Sequence, residues 1–212
     1  MAIDDLLDEH EQGERVRSWL RKNGAGLVGG VCVGLALILG WQWWQKNHND
    51  ELAAANSRYA ELARSIDAKD LDKAAKALAE LEGGKTGVYT ELAALRLAKA
   101  QADEGKNDDA IKTLRSVSAG GEFKSIIERR LARLLIETGK PDEALKALGD
   151  AQDGESLEVR GDALFAQGKR DEARDVYAKA LTTVDVASPQ RRLLETKLMD
   201  VGGKVPDPAE SI

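Results

Sequence analysis

The chain has little of what small enzymes and disulfide-stapled secreted domains are built from. Its one cysteine, Cys32, stands alone in 212 residues, so no intrachain disulfide can form and no Cys-x-x-Cys redox or zinc motif exists. The two histidines, His10 and His48, both precede residue 50. The remaining three quarters of the chain therefore lacks an imidazole for acid–base work or metal ligation. There is no Gly-x-Ser-x-Gly, His-Glu-x-x-His or phosphate-binding loop, and no cofactor, metal or catalytic residue is expected. Aromatics make up only 4% while alanine and leucine abound, a balance that favours an all-helical build over a sheet. Only four prolines occur, at 141, 189, 206 and 208, so few helices are interrupted.

One stretch lacks charge altogether. Residues 23–45 contain no acidic or basic side chain and are bracketed by Lys22 and Lys46. A helix of that length covers roughly 34 Å against a hydrocarbon core of about 30 Å, so the segment is read as one transmembrane span. Arg15, Arg17, Arg21 and Lys22 crowd its front, whereas only Lys46 and Arg58 follow it closely. The positive-inside bias then predicts a cytoplasmic leader over 1–22 and an outer part from 46 onward. Trp41, Trp43 and Trp44 at the outer end suit the headgroup level, as indoles do. Ala53-Ala54-Ala55 offers a signal-peptidase-like site, but Lys46, His48, Asp50 and Glu51 separate it from the apolar run. That run is also too long, so an uncleaved anchor is expected. Gly26, Gly30 and Gly34 recur every four residues. They either form a face on which another helix packs or reflect the abundance of glycine in membrane helices.

Beyond the span, 27 Lys and Arg face 31 Asp and Glu, which leaves no basic footprint for nucleic acid. The instructive pattern is a repeat. Gly105-Lys-Asn-Asp-Asp-Ala110, Gly139-Lys-Pro-Asp-Glu-Ala144 and Gly168-Lys-Arg-Asp-Glu-Ala173 share Gly-Lys-x-Asp-acidic-Ala, at spacings of 34 and 29 residues. The spacing brackets the period of a tetratricopeptide repeat. Each hexapeptide reads as a helix-turn-helix junction. The glycine closes one helix in a left-handed cap, and the acids sit at the positive N-terminus of the next. Small residues stand seven before each glycine (Ala98, Ala132, Gly161) and five after it (Ala110, Ala144, Ala173), where two helices must approach closely. Leu114, Leu148 and Tyr177, then Val117, Ala151 and Ala180, are expected to fill the gap to the next hairpin. A weaker first copy runs through Tyr59, Leu62, Ala74, Leu78 and Leu81, with Lys69 where the glycine would be. Ser188-Pro189 opens a last helix that closes at Gly202-Gly203 and covers the end of the stack.

The expected architecture is thus all-α, a tetratricopeptide-type solenoid of helical hairpins preceded by one transmembrane helix. Its parts are a leader (1–22), an anchor (23–45), a repeat domain with its capping helix (46–204) and a flexible tail (205–212). The concave face of such a stack is lined by the first helix of each hairpin. In this register it includes Leu92, Lys99, Ile126, Arg129, Arg133, Ile136 and Phe165. Those residues suit an extended peptide bearing carboxylates, although Arg129 and Arg133 can equally serve as surface pairs with nearby acids.

Several local strings bear a wider likeness. They are Asn23-Gly24, the span ending in Gly40-Trp41 and Trp44, Arg130-Leu131-Ala132-Arg133, Ala144-Leu145-Lys146-Ala147-Leu148, and Arg160-Gly161-Asp162-Ala163-Leu164 ahead of Gly168 and Ala173-Arg174. In this order, and over nearly the whole chain, they resemble the YfgM-like family of ancillary subunits of the bacterial SecYEG translocon. The resemblance implies a single-pass inner-membrane protein with a periplasmic repeat domain. It also implies association with the translocon and the periplasmic chaperone PpiD, and help for unfolded clients. The repeats are similar, too, to those of a cell-division coordinator. The expectation is a non-catalytic translocon accessory subunit; the alternative is a membrane-anchored scaffold in envelope assembly or cell division.

Overall fold

The computed structural model describes residues 2–83, 88–118, 120–185 and 187–205, leaving aside the side chains of residues 2–12 and 122. The expected tail falls outside this set except for Val205, as do the side chains of the acidic leader through residue 12. Among the described residues the regular structure is helical throughout, in agreement with the all-α expectation. The helices are α1 (Ala2–Asp67), α2 (Leu71–Glu82), α3 (Tyr89–Asp103), α4 (Asn107–Ser116), α5 (Gly121–Glu137), α6 (Pro141–Leu148), α7 (Gly154–Ala166), α8 (Arg170–Thr183) and α9 (Pro189–Asp200). Two compact units divide between residues 53 and 54.

The first unit holds the uncharged span. Among the described residues α1 is the one helix long and apolar enough to cross a membrane. Between 23 and 45 only Gly24 and Gly34 are even partly covered. Leu37, Leu39 and Trp43 are 70%, 62% and 71% exposed. That much bare apolar surface is what a helix solvated by lipid presents and what a soluble unit buries. Trp41, Trp44 and His48 form a ring stripe at helical spacing: the indoles lie 5.2 Å apart, and Trp44 stacks on His48 at 5.9 Å.

The second unit is a row of hairpins held by three core clusters. The end of α1 contributes Ala55 and Leu62, which bury against Leu78, Leu81, Ala94 and Leu97. Leu114, Leu135, Leu148 and Val159 centre the middle cluster. The last joins Leu157, Tyr177 and Leu181 to Leu194, Leu198 and Val201, so α9 covers apolar surface of α7 and α8. Burial of a leucine of this kind is worth about 2 kcal/mol. Helices pair within hairpins (α3 with α4, α5 with α6, α7 with α8) and pack onward from α4 to α5 and from α6 to α7.

The junctions show why the hexapeptide recurs. Gly105, Gly139 and Gly168 have φ of 74°, 73° and 78°. At Gly105 its own N–H donates to the Ala102 carbonyl (2.8 Å), and that of Lys106 donates to the Gln101 carbonyl (2.8 Å). The same pair of bonds recurs at Gly139 and Gly168, satisfying carbonyls that the helix end would orphan. Lys69 adopts φ 59° with the same two bonds, so the first copy makes this turn without glycine. Asp70 then caps α2, accepting from the Lys73 N–H at 3.0 Å. The acids after each glycine do more than complement the helix dipole: Asp108 pairs with Lys140 at 3.0 Å, and Asp142 accepts from Gln167 at 2.9 Å. One copy's junction thereby touches the next. Ala151 departs from the expected register, because Gly149, at φ 50°, ends α6 before that residue.

Candidate functional site

The first helices of successive hairpins are the end of α1, then α3, α5 and α7, with α9 following. How each gap between neighbours is closed decides what surface remains. Between α1 and α3, the rings of Tyr59 and Tyr89 lie 5.8 Å apart and Arg96 reaches Asp67 at 3.4 Å. Between α5 and α7, Arg129 is bound to both Asp153 (3.2 Å) and Glu155 (2.8 Å), leaving its side chain 13% exposed. Asp153 also caps α7 by accepting from the Ser156 N–H at 3.0 Å. Burial tends to raise its pKa, but the bonds from Ser156 and the Arg129 charge hold it below the usual carboxylate range. Between α7 and α9, Lys197 donates to Glu158 (2.6 Å) and Asp162 (2.8 Å). The Tyr177 hydroxyl donates to the other Asp162 oxygen at 2.6 Å, and burial with this bond pushes the phenol pKa upward.

The α3–α5 gap is different. These two helices meet more sparsely than α5 and α7 do, and no ion pair joins them among the described residues. A pocket of about 220 Å³ opens there. Its walls include Leu95, Ala98, Ala102 and Leu134, and Lys99, Arg130 and Arg133 stand at the same opening. Lys99 is paired within its own helix to Asp103 (2.5 Å).

Of the seven residues expected on the concave face, Lys99 and Arg133 are brought together at this pocket. Arg129 is drawn instead into the α5–α7 pairs. Ile126 and Ile136 are half-buried against the middle core cluster. Leu92 is half-buried on α3, and Phe165 is exposed near the end of α7. Arg130 was not anticipated; its position three residues before Arg133 puts both on one helix face. In the span, a Cβ added at Gly26, Gly30 or Gly34 meets nothing within 4 Å. Gly26 and Gly30 line a surface groove with Trp19, Asn23, Leu27 and Val31.

Comparison with known proteins accords with this anatomy. An ancillary SecYEG translocon subunit of Escherichia coli (strain K12) is 26% identical over 199 residues, covering 90% of this chain and 95% of that protein. A protein of the same name from Haemophilus influenzae is 23% identical over 148 residues, covering 52% of this chain and 72% of its own length. The resemblance read from the sequence thus extends to relatives bearing that name. The model of the tetratricopeptide repeat-like domain matches residues 17–203, from ahead of the span through α9, and the chain belongs to that family.

Proposed function

We propose that this chain is a non-catalytic accessory subunit of a bacterial Sec translocon. Residues 23–45 anchor it in the inner membrane, and the repeats lie on the periplasmic side. The observation that carries the reading is the extent of the likeness to the E. coli ancillary subunit, which takes in 90% of the chain. The bare apolar surface of the span supports membrane residence, and the cations ahead of it support a cytoplasmic N-terminus.

The anchor docks through the face carrying Gly26, Gly30 and Gly34, where a partner backbone can approach closely. The repeats recruit a PpiD-like chaperone or hold translocated chains near the membrane. Tethering makes even a weak contact effective, because the local concentration of a tethered partner reaches about millimolar.

Photo-crosslinking in cells tests both halves. A probe at Gly30 is expected to capture a translocon subunit, and one at Arg133 a periplasmic chaperone or an emerging chain. Gentle detergent extraction that recovers neither translocon nor chaperone would sink the reading.

A further inference from the structure

The gaps between successive first helices are closed by the chain's own side chains at three places and left open at one. Tyr59 and Tyr89 meet at the first, Arg129 takes two carboxylates at the third, and Lys197 takes two at the last. At α3–α5 the walls of the pocket are almost wholly apolar, while exposed Arg130 and Arg133 make no ion pair among the described residues. Such a site lacks two things, an apolar group to fill it and carboxylates to neutralise its rim. Its volume, about 220 Å³, falls below the roughly 300–1,000 Å³ of sites that enclose small-molecule ligands. It has room for one large side chain.

We infer that the α3–α5 pocket seats a single large aliphatic or aromatic side chain from an acidic segment of a partner protein. Carboxylates flanking that residue bond to Arg130 and Arg133. Lys99 remains with Asp103 or turns to the same segment. The apolar residue supplies desolvated contact at the centre, and the arginines select sign and register at the rim. Guanidinium groups suit this role because they take carboxylates in a bidentate fork. The proposal rests on the accessory reading only for the partner's presence near the membrane; its chemistry follows from the pocket.

The test uses the full chain in lipid nanodiscs and a fluorescein-labelled dodecapeptide with one phenylalanine among aspartates and glutamates. Fluorescence anisotropy is expected to show saturable binding that weakens with salt. Replacing the phenylalanine with alanine, or the acids with lysines, should weaken it about tenfold or more. The double substitution Arg130→Glu with Arg133→Glu should do the same. So should Ala102→Phe, which fills the pocket without touching the charges, with helicity by circular dichroism unchanged in both. Equal binding by the basic peptide, or full binding by both protein variants, would overturn the assignment, as would no binding by the native chain. Recovery of the translocon with the double variant separates the two ideas. Retained translocon with no peptide effect removes the pocket alone, whereas pocket-dependent binding without translocon removes the accessory reading alone.

Discussion

Gly161 lies flat against the ring of Tyr177: a Cβ built on it would fall 2.3 Å from Cε1 and 2.5 Å from Cδ1. The ring is buried, and its hydroxyl is fixed by Asp162, so it has no room to swing aside. Gly161→Ala should therefore destabilise the repeat unit by about 1–3 kcal/mol through overpacking. Thermal unfolding followed by circular dichroism reads the effect. Combining it with Tyr177→Ala should cost less than the sum of the two single changes, because the clash then has no second party.

Lys69 holds a left-handed backbone that glycine holds in the three later copies. A side chain there costs roughly 1–2 kcal/mol, against about 0.5–1 kcal/mol of extra unfolded-state entropy for glycine. Lys69→Gly is accordingly expected to stabilise by about 0.5 kcal/mol, after loss of its 3.7 Å exposed pair with Glu104 is discounted. Gly139→Ala should destabilise by about 1 kcal/mol. A rise in melting temperature for the second substitution would contradict this account of the junction.

Asp153 gives the fold a pH dependence of known sign. Its folded-state pKa is lowered, so the native state binds its proton less readily than the unfolded chain does. The stability it contributes is present above the unfolded value near 4 and is lost as pH falls through the lower folded value. Melting temperature should drop between pH 5 and pH 3. Asp153→Asn should be less stable at neutral pH and should show a smaller drop over that window.

Lys197 binds Glu158 and Asp162 while only 24% exposed. Lys197→Met leaves two poorly solvated carboxylates side by side on α7, four residues apart, facing α9 with no cation between them. The expected cost is about 1–3 kcal/mol, less than for a fully buried pair because solvent still reaches the site. Hydrogen exchange should quicken first in α9. Uniform acceleration through α5 as well would show that the lysine supports more than the cap.

The sequence by itself determined the features that need only local chemistry. A run without charge and about the length of a bilayer can be read directly, because each residue contributes independently to transfer. The helix-turn-helix junctions were legible for a similar reason: a left-handed residue followed by acids specifies a cap within six positions, as Gly105, Gly139 and Gly168 do. Small residues such as Ala98 and Gly161 marked the close approaches. Lys69 was legible only through the register of its neighbours, since nothing in lysine favours its φ.

Tertiary structure alone decided which cations stay free. Arg129 and Arg133 sit four residues apart on α5, with the same chemistry, and both were expected on one groove. Packing of α7 beside α5 places Asp153 and Glu155 within reach of Arg129. The sparser meeting of α3 and α5 leaves Arg133, with Arg130, at an open apolar pocket. Helical spacing tells which residues share a face. How closely the next helix lies against that face depends on the side chains of both, summed over the whole contact, and that sum has no signature in either helix alone.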